Sequence, residues 1–293
     1  MNLVIGATGV LGSEICRQLR DRHLPVRALV RRGSAREKDL AALGVEIVYG
    51  DLREPASLDA ACHGATCVFS TATAMGSKDK SLTLRAVDRD GQLALVAAAK
   101  ANRVGRFVFI SVSPFLQPPA PLVRYKREVE RAVRESGMRW TILQPTVFME
   151  IWLGAPLGWD HAAGRAMIFG DGKGKLNWVA VRDVAELAVM SIADPRLENQ
   201  FVPVGGPEAL APNDVLRIFE EASGRPYSAR RVPRLLLKAL SPVVSLFNEE
   251  AGSGMSLGAQ GAMGERLDIS LMRSLGLPRV TVQDYAREVT QKT

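Results

Sequence analysis

Glycines at positions 6, 9 and 12 fall between an apolar run, Leu3 to Ile5, and a stretch from Ser13 to Arg22 that reads as a helix. The chemistry this spacing suits is anion binding. The first glycine turns the chain out of a strand, the second lets backbone approach a ligand, and the third lets helix pack on sheet. A helix starting there presents unpaired N–H groups and the positive end of its dipole, which suits a pyrophosphate. A bare strand-to-helix turn needs only the first of these properties. Position after a strand, before a helix and at the head of a repeating β/α pattern points to a dinucleotide.

A second strand, Val26 to Val30, runs into Arg31-Arg32-Gly33-Ser34, with Arg36 nearby and no acid before Glu37. In a dinucleotide fold, an acid about twenty positions past the glycines accepts from the ribose 2′-OH and selects NAD. Guanidinium groups there instead bind a 2′-phosphate through charge-assisted hydrogen bonds. NADP is therefore the expected cofactor; paired arginines in a solvated loop are the plainer alternative. Asp51, closing a third strand from Val45 to Tyr49, is placed either to accept from an adenine amine or to cap the helix Pro55 to Cys62. A fourth strand, Thr66 to Ser70, leads into Thr71-Ala72, small enough to leave room for a ribose or nicotinamide ring.

These residues need a scaffold, and the rest of the chain supplies one. After a Gly/Ser/Lys connection (Met75 to Thr83), the pattern predicts a helix Leu84 to Ala101 and a strand Arg106 to Ile110. A helix Leu122 to Ser136 and a strand Trp140 to Leu143 follow. Beyond an irregular segment, Ile151 to Lys173, come a strand Leu176 to Val181, a helix Asp183 to Ala193 and a strand Phe201 to Val204. Alternation of this kind predicts an α/β fold with a doubly wound parallel sheet covered on both faces. Residues 1–150, rejoined by 176–206, form the expected dinucleotide-binding domain. Residues 151–175 and 207–293 form the smaller, mainly helical substrate and lid region. Within the latter, Arg231 to Asn248 reads as an apolar helix broken by Pro242, and Ala251 to Gly264 as a Gly/Met-rich loop or lid.

Composition narrows the function classes. The chain has 293 residues, 47% hydrophobic and 24% charged, with a net charge of +7 from 38 basic and 31 acidic residues. The arginines are scattered rather than clustered, which argues against nucleic acid as a partner. No apolar run is long enough to span a membrane, leaving only peripheral contact open. Three cysteines and three histidines support neither a disulfide framework nor a metal site. A reducing, cytoplasmic setting is the expectation.

Taken together, GATGVLG at 6–12, GDL at 50–52, VDRDG at 87–91, FVFIS at 107–111, YKREVE at 125–130, SGMRWTILQPTVF at 136–148 and VAVRDVAE at 179–186 resemble the NmrA-like, atypical short-chain dehydrogenase/reductase group. The resemblance covers residues 1 to about 225. It implies a Rossmann sheet of about seven strands. It implies that Gly6, Thr8, Gly9, Val10 and Leu11 cradle the pyrophosphate of NADP and that Arg31 with Arg32 takes the 2′-phosphate. Asp51 and Leu52 then flank adenine, Thr71 and Ala72 the second ribose, and Pro145, Thr146 and Phe148 the nicotinamide. Lys126 matches the lysine that binds the nicotinamide ribose and assists proton delivery.

The departure from that pattern is at the acid. The superfamily's Tyr-xxx-Lys puts tyrosine at 122, one helical turn before Lys126, and residue 122 is leucine. Tyr125 neighbours Lys126 and so projects about 100° away around the helix. The superfamily's serine aligns with Ser111 or Ser113. Lys126, Tyr125 and Ser111 are thus the catalytic candidates, with Lys126 either proton donor or simple ribose ligand. His161, in the irregular segment, is a weaker one. The expected activity is NADPH-dependent hydride transfer to a small, fairly apolar carbonyl, quinone or enone-type acceptor, by a monomer or homodimer. The alternative is a non-catalytic NADP(H)-binding redox sensor or assembly protein.

Overall fold

The computed structural model describes residues 1–77 and 79–291. Six parallel strands are β1 (Asn2–Ile5), β2 (Val26–Val30), β3 (Glu46–Tyr49), β4 (Cys67–Ser70), β5 (Arg106–Ile110) and β6 (Arg139–Pro145). With Gln200–Val204 they make one seven-stranded sheet in the order β3-β2-β1-β4-β5-β6-(200–204). Asn2 stands opposite both Val26 and Cys67, so the order reverses between β1 and β4. That reversal opens the crevice at which doubly wound sheets bind ligands, beyond the carboxyl ends of the strands. Leu3, Val4, Val68, Phe69, Phe107, Val108 and Phe109 are wholly buried. Their unbroken apolar runs are what a strand covered on both faces requires.

The chain divides into two compact units, the first being 1–112, 124–144 and 184–202, and the second 113–123, 145–183 and 203–293. In the first, the helix after the glycine turn runs Val10–Asp21 and buries Ile15, Cys16 and Leu19. The predicted single helix 84–101 is instead a π-helical stretch, Arg85–Gly91, running into the α-helix Gln92–Ala101. Gly91 lies against Leu52, where a Cβ would come within 2.9 Å of the Leu52 Cβ. The wide turn carries Asp88, wholly buried.

The second unit has an aromatic core that includes Trp159, Trp178, Phe219 and Tyr227. Parallel strands Arg165–Phe169 and Ser228–Val232 pair within it, as do the antiparallel Leu176–Asn177 and Ala209–Leu210. Three expectations fail here for identifiable reasons. The strand predicted over 176–181 stops at Asn177, because the Val179 N–H goes to Val147 O and the Val181 N–H to the Glu150 carboxylate, opening a helix Val181–Met190. Pro242 does not break its helix, which runs Arg234–Phe247. The ring removes a donor to the carbonyl four residues earlier, and the Ser241 hydroxyl donates to that Lys238 carbonyl at 3.4 Å. Most consequentially, 251–264 is no loop: Glu249–Gly261 is a helix capped by Asn248, whose side chain accepts from Ala251 N at 3.0 Å. Two of its glycines are contact surfaces, Gly252 lying against Ser245 and Gly258 against Phe169.

Among the described residues no helix is long and apolar enough to cross a membrane. The cysteines are buried free thiols. Burial pushes Cys16 and Cys67 up to about 12 and Cys62 up to about 11, which removes thiolate chemistry at neutral pH.

Candidate functional site

The glycine turn adopts the geometry its spacing predicts. Gly6 has φ +81°, and a Cβ on it would lie 2.6 Å from Thr71 Oγ1 and 2.8 Å from Ala72 N, so only glycine fits between the ends of β1 and β4. Gly9 N donates to Gly6 O at 2.9 Å, and Gly12 packs onto the same carbonyl. Gly9 caps the helix with extended backbone and no side-chain hydrogen bond. Gly9 and Val10 are exposed, Thr8 and Leu11 half-buried. Thr71 is pinned beside the turn, its N–H and Oγ1 both reaching Ile5 O at 3.0 Å. An open helix N-terminus with a backbone that tolerates no side chain at Gly6 fits a pyrophosphate.

Three arginines follow the neighbouring strand β2. Arg31 pairs with Asp79 at 3.1 Å, both half-exposed, and Arg32 stacks over the Tyr49 ring at 4.3 Å. Arg36 reaches Ser13 Oγ at 3.2 Å, at the first turn of the helix. Asp51 does not cap the helix Pro55–Cys62, whose N-cap is Glu54. Its carboxylate takes Nε and Nη2 of Arg53 at 2.9 and 2.8 Å, and that guanidinium holds it below the usual carboxylate range. Leu52 is buried beside it.

Lys126 lies on the helix Pro121–Glu135, 5% exposed. Its Nζ donates to Ile110 O at 3.2 Å, sits 3.5 Å from Asp88 Oδ1 and faces the Phe109 ring at 4.9 Å. Burial pulls its pKa down from the usual lysine value, opposed by Asp88. Asp88 spends its other oxygen on Ala74 N at 2.8 Å. Tyr125 is buried too, with Arg124 Nη2 3.4 Å from its hydroxyl. Ser111 donates to Glu130 at 2.6 Å, and Glu130 also takes Arg127 at 2.6 Å and Gln144 at 2.9 Å. Such a buried, multiply bonded cluster fixes architecture.

In the second unit, Thr146 follows Pro145 at the end of β6, its N–H tied to Val204 O at 2.9 Å, and Phe148 bridges to Val179. The Thr146 hydroxyl donates to Glu265, and Ser113 Oγ donates to the other Glu265 oxygen at 2.6 Å. Burial raises the Glu265 carboxyl above its usual value, with the Ser113 hydrogen bond opposing. Ser113 and Thr146 are buried, and the Glu265 N–H is anchored on Lys175 O at 2.9 Å. Sequence reasoning missed Glu265 because no motif surrounds it; its one signal is that it ends a chargeless run, Ala251 to Gly264. The segment before it supplies Gly258, Gly261 and Ala262 to an apolar cavity lined also by Trp152, Phe169 and Trp178. His161 stacks on Phe219 at 4.7 Å, its Nε2 on Leu153 O at 2.8 Å and its Nδ1 3.3 Å from the Tyr227 hydroxyl.

Sheet order, glycine turn and exposed helix N-terminus define an α/β protein of the dinucleotide-binding class. More particularly, the chain belongs to the NmrA-like family, whose sequence model matches residues 2–259. It is 38% identical over 229 residues to an NAD(P)H azoreductase of Xenophilus azovorans, covering 77% of this chain and 75% of that one. It is 28% identical over 249 residues to the photosystem II assembly factor Ycf39 of Trieres chinensis, covering 84% and 76%. Its fold matches an NADPH-dependent quinone oxidoreductase of Escherichia coli crystallised with NADPH, with a TM-score of 0.75, 22% identity and 99% of each chain covered.

Proposed function

We propose that this protein is an NADPH-dependent oxidoreductase acting on a small, fairly apolar azo, quinone, carbonyl or enone acceptor. The observation that carries the reading is the glycine turn at the carboxyl end of β1, with an uncapped helix N-terminus, Arg36 at that helix's first turn, and Arg31 and Arg32 following the neighbouring strand β2. The azoreductase relative, at 38% identity, supports the reaction class. When bound, NADPH supplies a hydride from its nicotinamide. The chain's own work is to hold and orient it. Gly6, Thr8, Gly9, Val10 and Leu11 bind the pyrophosphate, Arg31 and Arg32 the 2′-phosphate, Asp51 and Leu52 the adenine, and Thr71 and Ala72 the second ribose. Pro145, Thr146 and Phe148 take the nicotinamide, and Lys126 its ribose. Ser111 and Tyr125 act on the architecture around them.

A second reading, a dinucleotide-binding assembly or regulatory protein, draws on Leu122 in place of tyrosine and on the Ycf39 relative. Steady-state NADPH oxidation with methyl red, menadione and an enone separates the two. Turnover with at least one acceptor is expected; tight NADPH binding with none turned over favours the second reading.

Cofactor choice has its own test. Arg31 exchanges Asp79 for the 2′-phosphate, and a charge-assisted hydrogen bond of this kind contributes about 1.5–3 kcal/mol. Arg31→Ala is expected to lower NADPH affinity roughly ten- to hundredfold while leaving NADH affinity unchanged, as read by fluorescence titration. Equal losses for both cofactors would contradict the assignment.

A further inference from the structure

We propose that Glu265 is the proton donor to the acceptor, its carboxyl held in place by Ser113 and Thr146. The inference rests on the reductase reading and supplies what Leu122 withholds. Hydride addition to one atom of an N=N or C=O bond pushes the π electrons onto the other atom, which must take a proton. Glu265 gives that proton and becomes a carboxylate, and water returns a proton to it. The net change is acceptor plus NADPH plus H⁺ going to reduced acceptor plus NADP⁺.

Burial raises the Glu150 and Asp183 carboxyls as well, but interior carboxyls other than Glu265 are bonded mainly by nitrogen donors. Asp183 accepts from the N–H groups of Arg279 and Val280 at 3.1 and 3.0 Å, and Glu150 from Val181 N at 2.9 Å. Asp88 accepts from Ala74 N beside the Lys126 ammonium, and Glu130 from a guanidinium, an amide and a hydroxyl. Peptide N–H and guanidinium groups only donate, so they offer a protonated carboxyl nothing to donate to. Glu265 differs because its side-chain partners are two hydroxyls, Ser113 Oγ and Thr146 Oγ1. A hydroxyl donates to a carboxylate and, after rotating, accepts from a carboxylic acid. Both protonation states are therefore satisfied in place, which a group that cycles through them needs. Burial pushes the equilibrium toward the acid.

Location agrees with the chemistry. Ser113 comes three residues after β5 and Thr146 directly after β6, and the carboxyl ends of strands are where open α/β sheets bind ligands. The segment that ends in Glu265 also lines the apolar cavity through Gly258, Gly261 and Ala262.

The test combines kinetics with a titration of the ligand-free protein. Carbon-13 NMR of the glutamate carboxyls, assigned by Glu265→Gln, is expected to place Glu265 above the ordinary value of about 4.3. Wild-type kcat with methyl red is expected to fall as pH rises through that same value. Glu265→Gln should lower kcat about 10²–10⁴-fold, abolish that limb of the pH profile, and leave KM and NADPH affinity near wild type, which also certifies its fold. Ser113→Ala removes a bond that favours the carboxylate and should move the limb to higher pH. A Glu265→Gln variant with wild-type kcat and an intact limb, or a carboxyl titrating at the ordinary value, overturns the proposal and leaves the reductase reading standing. A wild-type protein that binds NADPH and reduces nothing overturns both.

Discussion

Gly9→Asp is expected to abolish NADPH binding while leaving the fold as stable as before. Gly9 has φ −79° and ψ 170°, extended backbone that any residue adopts. A Cβ there would stand 3.2 Å from Gly6 O, a contact relieved by a few tenths of an ångström. Aspartate at this N-cap can accept from the first-turn N–H groups, which contributes about 1 kcal/mol to helix stability. The same carboxylate then occupies the N–H groups meant for the pyrophosphate and repels it. Two unit charges about 4 Å apart at an effective dielectric constant of 20 repel by about 4 kcal/mol, roughly a thousandfold in Kd. Calorimetric titration with NADPH alongside thermal unfolding checks both halves. Unchanged affinity would remove the glycine turn from the binding site, and a collapsed Tm would make its role purely structural.

The second large effect is on stability. Lys126→Met leaves the Asp88 carboxylate wholly buried without its ammonium partner, its Oδ2 still accepting from Ala74 N–H. Breaking a buried pair from one side costs about 3–5 kcal/mol, visible as a large drop in the urea midpoint. Adding Asp88→Asn removes the stranded charge while its amide oxygen still accepts from Ala74, so the double variant should recover more than half of the loss. Full additivity of the two single effects would show that the pair is not coupled. The pH dependence follows from the lowered Lys126 pKa. Between that value and the unfolded value of about 10.4, the unfolded chain holds a proton the folded one lacks. Stability therefore rises with pH across this window, and Lys126→Met should flatten the rise.

What could be read from the chain tracks how local the physics is. The glycine turn was legible because three residues and their flanks specify it, and strands β4 and β5 because burial on both faces leaves unbroken apolar runs. The doubly wound parallel class follows from the same alternation, whereas strand order, which alternation alone does not fix, is seen only in the fold. Helix Glu249–Gly261 was not legible: its glycines look like loop residues until Ser245 and Phe169 are found packed against Gly252 and Gly258. Pro242 read as a break because the Ser241 hydroxyl that takes the freed carbonyl carries no such signal in sequence. Gly91, which ends the π-helical turn Arg85–Gly91, packs against Leu52, far away in the chain.

The site divides the same way. Arg31, Arg32 and the glycines follow from spacing, and Lys126 from its motif. Ser111 drew attention as a catalytic serine, yet its hydroxyl is committed to Glu130, and Ser113, two residues on, reaches Glu265. That contact joins residues 152 positions apart, and no pattern in the chain announces it.

The most direct test of the reductase account is a single turnover. Protein loaded with one equivalent of NADPH is mixed with menadione or methyl red in a stopped-flow instrument, and the nicotinamide absorbance is followed alongside loss of the acceptor. The account predicts that both disappear one for one, at a rate set by the bound complex and slowed when the nicotinamide C4 is deuterated. Bound NADPH that persists unchanged in the presence of each acceptor would contradict it.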